Sequence, residues 1–148
     1  MIMELKKNEP CPYCGRYDNR GLSIDAIIVK ENKLLLIERG TEPFKGSWAI
    51  VGGYIDWGER TEEVVKREVK EEIGVSVKKM RLLGVYSVPS RHPKQVITVV
   101  YVIDEFTGTS RESEEAVKIK WFSFSELPRI MAFDHRKIVN DALKFLHK

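Results

Sequence analysis

Apolar and polar positions divide this chain into short strands and two helices. Residues 23–30 and 34–37 are rich in β-branched and apolar side chains, and the Glu31-Asn32 pair between them suits a two-residue hairpin turn. A short strand over residues 48–51 runs into Gly52-Gly53. We expect these glycines to turn the backbone with positive φ and to leave carbonyl oxygens open to a ligand.

Residues 61–73 have the spacing of an amphipathic helix. Thr61 is the expected N-cap, two acidic residues suit the positive end of the helix, and Gly74 suits the position just after its last turn. The predicted buried side consists of Val64, Val65, Val69 and Ile73. The opposite side is strongly charged, so this helix should pack one face against a sheet.

The second half of the chain repeats the order of strands followed by a helix. Strands are predicted over residues 75–86, 95–104 and 117–122, and a final helix over residues 134–146, capped by Asp134. Strands and helices do not alternate regularly, which disfavours a doubly wound parallel sheet. The pattern predicts an α+β protein with a mixed or antiparallel sheet packed between helices.

Composition agrees with one globular domain. The chain has 148 residues, of which 43% are hydrophobic and 32% charged. We assign residues 1–20 to a polar N-terminal arm and residues 21–148 to the domain. No apolar run approaches the roughly 20 residues of a membrane span, and no export signal is evident, so we expect a cytoplasmic protein without membrane contact. A net charge of +3 gives no argument for nucleic acid.

A CPYCG segment in the arm places Cys11 and Cys14 at the spacing of a zinc knuckle. A closed structural zinc site needs four ligands, and the chain has no second cysteine pair. Three interpretations stay open: a knuckle without metal, Zn²⁺ completed by other ligands or by a second subunit, or a redox pair.

Three carboxylates share one face of the predicted helix over residues 61–73. At about 100° per residue, Glu71 and Glu72 lie about 60° and 40° to either side of Glu68. The simple interpretation is a solvated acidic face. However, the strip borders buried valines and follows a glycine pair with carbonyl oxygens. Ligands of oxygen alone favour Mg²⁺ or Mn²⁺ over zinc.

The same segment resembles the Nudix box of the Nudix hydrolases. The matching pattern is Gly53, five residues, Glu59, seven residues, Arg67-Glu68-Val69, one residue, Glu71-Glu72, one residue, Gly74-Val75. One departure is Val51, where many members have proline. The resemblance implies an α/β/α sandwich with a mixed central sheet and the box as loop–helix–loop. It also implies metal-dependent hydrolysis of a nucleoside diphosphate linked to another group.

The resemblance also implies roles for the box residues. Glu68 and Glu72 bind the divalent metals, Glu71 binds metal or contacts the water that the metal holds, and the carbonyl of Gly53 is a further ligand. Arg67 orients the glutamates.

Three further acidic residues, Glu59, Glu114 and Glu115, lie outside that ligand set. Glu59 fits a structural role in the loop. The general base often comes from outside the box, and Glu115, with Glu114, is placed for it just before the strand of residues 117–122. A solvated acidic loop is the alternative.

The substrate must be inferred from outside the box. Pro89 lies 15 residues after Gly74, as in the ADP-ribose pyrophosphatase group, which implies cleavage of ADP-ribose to AMP and ribose 5-phosphate, and a homodimer. Arg39 and Arg91 are candidate substrate contacts, with a surface ion pair and a solvated basic loop as their respective alternatives. An NADH or NAD pyrophosphatase is the second enzymatic interpretation, and a nucleotide-sensing domain without catalysis is the third.

Overall fold

The computed structural model describes residues 9, 10, 12, 13, 15 and 19–147. Cys11 and Cys14 lie outside the described residues, and so does the predicted zinc knuckle. Most of the arm is also outside them. The division of the chain into residues 1–20 and 21–148 therefore stays a prediction.

Seven strands and two α-helices follow one another in the described residues. They are β1 (Leu22–Lys30), β2 (Lys33–Arg39), β3 (Trp48–Ala49), β4 (Val51–Tyr54), α1 (Thr61–Ile73), β5 (Ser76–Tyr86), β6 (Ile97–Thr107), β7 (Ala116–Ser123) and α2 (His135–Leu146). A short 3-10 turn, Pro89–Arg91, lies in the loop before β6. The predicted order is confirmed, and most boundaries differ by one to three residues.

The sheet is mixed, as the sequence predicts. Strand β1 is parallel to β6, whereas the pairs β1–β2, β1–β4, β2–β3, β2–β7 and β5–β6 are antiparallel. Glu31 and Asn32 both have positive φ, at 53° and 61°. This is the backbone of a two-residue hairpin turn that matches the twist of the flanking strands.

A split in the sheet creates the space for a site. One edge of β1 pairs with β4 over residues 23–26, and with β2 only at Val29 and Lys30. Strand β2 therefore leaves β1 after the hairpin, while β4 takes its place. The gap between β2 and β4 opens beside the first half of β1.

Side chains of β1 alternate between two apolar layers, because successive residues of a strand point to opposite faces. Ile24, Ala26 and Ile28 belong to the cluster that contains the valines of α1. Ile27 belongs to the cluster that contains Ile138 of α2. The sheet is thus covered by one helix on each face, which confirms the predicted sandwich.

Helix α1 has the predicted bounds, and its four predicted apolar residues are buried. It ends at Gly74, whose φ of 74° suits a residue without a Cβ. The prediction that Thr61 is the N-cap is wrong. Arg60 is the N-cap, and its backbone N–H donates to Glu63 Oε2 at 3.0 Å. Thr61 is in the helix, with its hydroxyl 2.6 Å from the Tyr101 hydroxyl.

The expected turn at Gly52-Gly53 is also wrong. Both glycines lie within β4, paired with β1, and neither adopts a positive φ. Glycine is required here because neighbours approach closely. A Cβ at Gly52 would overlap the Asp25 carboxylate, and a Cβ at Gly53 would overlap the Glu68 carboxylate. The sequence signal was real, but its cause is close packing and not backbone freedom.

Within the described part of the chain, no helix combines the length and the apolar character needed to cross a membrane.

Candidate metal and substrate site

A cleft of about 680 Å³ opens at the split between β2 and β4. This volume lies within the range of about 300–1,000 Å³ that is usual for ligand pockets. The predicted site residues that line it are Arg39, Gly53, Arg67, Glu68, Glu72, Arg91 and Glu115. The cleft therefore brings together side chains from β2, α1, the loop before β6 and the loop before β7.

Three carboxylates meet at one end of the cleft. Glu68, Glu72 and Glu115 each offer one oxygen, and these oxygens lie within 4.8 Å of one another. Glu68 and Glu72 lie one turn apart on α1. Glu115 arrives from a different element, and its carbonyl accepts a hydrogen bond from the Gly40 N–H at 3.0 Å, which fixes the loop against the end of β2.

Burial of Glu68 and Glu72 makes this group electrostatically unfavourable by itself. Glu72 Oε2 is buried and has no hydrogen-bond partner among the described residues. Burial and the charges of Glu68 and Glu115 raise the pKa of Glu72 to about 10. Burial also raises the pKa of Glu68, although the bond from Arg67 opposes the shift. An unpartnered buried oxygen among three hard oxygen donors fits a divalent cation such as Mg²⁺ or Mn²⁺.

Arg67 fixes the geometry of the acidic cluster. Its Nε and Nη2 donate to the two carboxylate oxygens of Glu59 at 2.7 and 2.8 Å, and its Nη1 donates to Glu68 Oε1 at 2.6 Å. A further bond goes to the Tyr54 carbonyl at 3.0 Å. The bonds from Arg67 lower the pKa of Glu59. These contacts agree with an orienting role for Arg67 and a structural role for Glu59.

Glu71 lies apart from the carboxylates of the cleft. Its side chain is 59% exposed, and it accepts a hydrogen bond from Arg67 Nη1 at 3.3 Å. Its offset of about 60° from Glu68 around the helix turns it towards solvent. Its predicted metal or water contact stays a prediction. Glu115, predicted as a candidate general base, is the third carboxylate that lies beside Glu68 and Glu72.

The two predicted substrate contacts differ in how far their guanidinium groups are already occupied. Arg91 is buried, with a side chain 3% exposed, and it binds both Asp134 oxygens at 2.9 and 3.0 Å and the Val96 carbonyl at 2.8 Å. Arg39 donates only through Nε, to the Pro43 carbonyl at 2.7 Å, among the described residues. Arg39 is therefore freer to meet a ligand, and the contacts of Arg91 favour a supporting role.

Asp25, Phe133 and His135 are among the residues of the cleft that were not predicted from the sequence. Asp25 was visible as a lone carboxylate within the apolar strand β1. His135 falls three and four residues before Ile138 and Val139, on the buried face of α2. Asp25 and His135 each interrupt an apolar pattern, and this interruption is the signal by which the sequence could have identified them. Phe133 lies in a loop, where no periodic pattern could reveal it.

Comparison with known proteins identifies the family. The model of the NUDIX domain matches residues 19–142. The chain therefore belongs to the NUDIX family, and it is a Nudix hydrolase with the box that the sequence displayed.

Similar curated proteins include two kinds of nucleotide hydrolase. An ADP-ribose pyrophosphatase of Methanocaldococcus jannaschii is 42% identical over 130 residues, which is 87% of this chain and 76% of that protein. The NAD-capped RNA hydrolase NudC of Pseudomonas aeruginosa is 32% identical over 124 residues, 82% of this chain. The match spans only 44% of the length of that NudC.

Solved structures share the fold. The NUDIX domain of Shewanella oneidensis NrtR, in a cocrystal with ADP ribose, superposes with a TM-score of 0.79 at 25% identity, covering 88% of this chain and 90% of that one. A MutT NUDIX hydrolase of Burkholderia pseudomallei gives a TM-score of 0.77 at 28% identity, covering 84% and 98% of the two chains.

Proposed function

We propose that this protein hydrolyses the diphosphate bond of ADP-ribose to give AMP and ribose 5-phosphate. The observation that carries the proposal is the group of carboxylates formed by the buried Glu68 and Glu72 and the exposed Glu115 at one end of a ligand-sized cleft. Similarity to an ADP-ribose pyrophosphatase supports the choice of substrate. Nudix hydrolases act on nucleoside diphosphates linked to another group, and the intact box argues against a sensing domain without catalysis.

Mg²⁺ or Mn²⁺ is the proposed cofactor, held by Glu68, Glu72 and Glu115, with the Gly53 carbonyl as a further candidate ligand. A divalent cation bound there supplies positive charge that neutralises the diphosphate and makes water more acidic. The chain itself contributes positioning. Arg67 holds Glu68 in place, and Arg39, at the end of β2 beside the Glu115 loop, offers a guanidinium to a phosphate oxygen.

Glu115 is proposed as a metal ligand, and general base is its alternative role. As a base it would accept a proton from the attacking water; as a ligand it would complete the oxygen group. The substitution Glu115→Gln separates the roles. Loss of metal affinity identifies a ligand, whereas unchanged metal affinity with a large fall in kcat identifies a base. Glu71→Gln tests the corresponding prediction for Glu71 in the same assay.

A panel of nucleoside diphosphate derivatives tests the proposed reaction. The purified protein would be incubated with Mg²⁺ or Mn²⁺ and with ADP-ribose, NADH, NAD⁺, ADP-glucose or a nucleoside triphosphate, and the products identified by mass spectrometry. The proposal predicts the highest kcat/KM for ADP-ribose, with AMP and ribose 5-phosphate as products. Absence of turnover for every compound would contradict the proposal and favour a sensing domain.

A pyrophosphatase of NADH or NAD is the second candidate function, because the chain is also similar to the NudC hydrolases. A higher kcat/KM for NADH than for ADP-ribose in the same panel would establish it.

The homodimer, the cytoplasmic location and the absence of a nucleic-acid partner stay predictions. Sedimentation of the purified protein tests the dimer, and a mass equal to one chain would contradict it.

A further inference from the structure

The floor of the cleft contains a second polar group that the proposed reaction does not use. Asp25 of β1 and His135 at the start of α2 both line the cleft, and both are buried. Burial of polar groups is unfavourable unless they find partners. Their hydrogen bonds therefore show which donor and acceptor atoms are free to bind a ligand.

The imidazole of His135 is fixed in one tautomer. Its Nδ1 accepts a hydrogen bond from the Ile50 backbone N–H at 3.2 Å, so Nδ1 carries no proton. Burial, with the nearby charge of Arg91, lowers the pKa of His135 to about 3. The ring is therefore neutral, and its proton lies on Nε2. Among the described residues, Nε2 makes no hydrogen bond.

Asp25 supplies an acceptor beside this donor. Its Oδ2 lies 3.9 Å from His135 Nε2, which is too far for a direct hydrogen bond. The same oxygen accepts a bond from the Thr98 hydroxyl at 2.6 Å, which fixes the carboxylate and leaves lone pairs free. A single oxygen atom can lie about 2.8 Å from two atoms at this separation.

We propose that His135 and Asp25 form a recognition pair for one sugar hydroxyl of the substrate. A hydroxyl accepts from Nε2–H and donates to the carboxylate at the same time, whereas a phosphate oxygen would be repelled by Asp25. This proposal rests on the proposed function and identifies which part of the substrate the cleft floor reads.

The place of the pair in the cleft favours a sugar over a base. Asp25 pairs with Gly52 across the two strands, and the next residue, Gly53, packs against the Glu68 carboxylate. Gly52 and Gly53 face opposite sides of β4, but both line the cleft at the split in the sheet. Burial, the charges of Glu68 and Glu115 and, to a smaller extent, the charge of Asp25 raise the pKa of Glu72. The pair is therefore near the proposed metal site. In ADP-ribose, the groups attached directly to the diphosphate are two riboses, and the base is more distant.

A thermodynamic cycle that combines protein variants with substrate analogues tests the recognition pair. The kcat/KM of the wild type, His135→Asn and Asp25→Asn would be measured with ADP-ribose and with analogues that each lack one ribose hydroxyl. The wild type should disfavour one analogue by about 10- to 100-fold, as expected for a hydrogen bond with a charged group. With ADP-ribose, the kcat/KM of each variant should be lower than that of the wild type by a similar factor. With the disfavoured analogue, the kcat/KM of each variant should differ from that of the wild type by less than about 3-fold.

His147→Asn is the matched control, because it changes an exposed histidine at the other end of α2. It should leave all ratios unchanged. An equal loss by His135→Asn on every compound would assign a structural role and overturn the proposal, as would a wild type that accepts every deoxy analogue. IDP-ribose, which differs from ADP-ribose in the base, would be measured in the same way. If the wild type discriminated only against IDP-ribose, the pair would contact the base, and the proposal of a sugar hydroxyl would be overturned.

A binding measurement keeps the test independent of turnover and of the folding of the variants. Nitrogen-15 spectra of the metal-free wild type should show a neutral His135 with the proton on Nε2. Addition of ADP-ribose should shift Nε2 more than Nδ1. No shift at saturating ADP-ribose would overturn the recognition pair, even if ADP-ribose is hydrolysed. No hydrolysis with a clear Nε2 shift would overturn the proposed reaction alone.

Discussion

The substitution Glu72→Gln should stabilise the metal-free protein at neutral pH while it abolishes activity. Glu72 is buried beside two other carboxylates, and one of its oxygens has no hydrogen-bond partner among the described residues. A neutral amide of the same shape does not have to take up a proton on folding, as the Glu72 carboxyl does at neutral pH. Its amide can also donate hydrogen bonds to Glu68 and Glu115.

The size of this effect follows from the pKa of Glu72, which rises from 4.5 to about 10 on folding. Between these values the folded protein binds a proton that the unfolded chain has lost, so stability falls as the pH rises through that window. From pH 4.5 to 7 the cost is at most about 3 kcal/mol, at 1.36 kcal/mol for each pH unit. Glutamine avoids this cost, so the Tm should rise by up to about 6–12 °C at pH 7.

Denaturant unfolding in EDTA, at pH 7 and at pH 4.5, measures the difference. Glu72→Gln should be more stable than the wild type at pH 7 and nearly equal to it at pH 4.5. Glu71→Gln, one residue away and exposed, should change stability by less than about 0.5 kcal/mol. A Glu72→Gln variant that is less stable at pH 7, or a gain of the same size at both pH values, would refute the electrostatic argument.

Three other substitutions test the packing around the site. Gly53→Ala should reduce kcat by about 100-fold or more, because its Cβ would displace the Glu68 carboxylate; near wild-type kcat would contradict this. Arg67→Lys should reduce kcat/KM by about 10- to 100-fold, since an ammonium cannot reproduce the paired bonds to Glu59. An unchanged kcat/KM would show that the paired bonds to Glu59 are not needed. Arg91→Ala should lower the free energy of unfolding by about 3–5 kcal/mol, because it leaves a carboxylate unpaired. A fall below about 1 kcal/mol would instead support direct substrate contact as its main role.

Local patterns predicted the elements of the fold well. The bounds and the buried face of helix α1 depend on residues within or next to the helix, and the hairpin turn depends on Glu31 and Asn32 alone. The prediction of Thr61 as the N-cap was wrong, because the Thr61 hydroxyl bonds to Tyr101, a residue distant in sequence. Asp134 does occupy the N-cap position of α2, but its carboxylate binds Arg91 and makes no capping bond.

The site was predicted in part for the same reason. Glu68 and Glu72 share a face because helix geometry connects residues four apart. No local rule places Glu115 beside them, since that contact depends on the pairing of β7 with β2. The roles of Asp25 and His135 likewise depend on the split of the sheet, which brings β1 and α2 to one cleft.

The identity of the metal ligands is the central claim, and titration with Mn²⁺ followed by electron paramagnetic resonance tests it most directly. The wild type should bind Mn²⁺, and Glu68→Gln, Glu72→Gln and Glu115→Gln should each weaken binding by at least about 10-fold. Glu71→Gln should bind Mn²⁺ nearly as well as the wild type. Weakened binding in Glu71→Gln with unchanged binding in Glu115→Gln would contradict the account and place the metal on the outer face of α1.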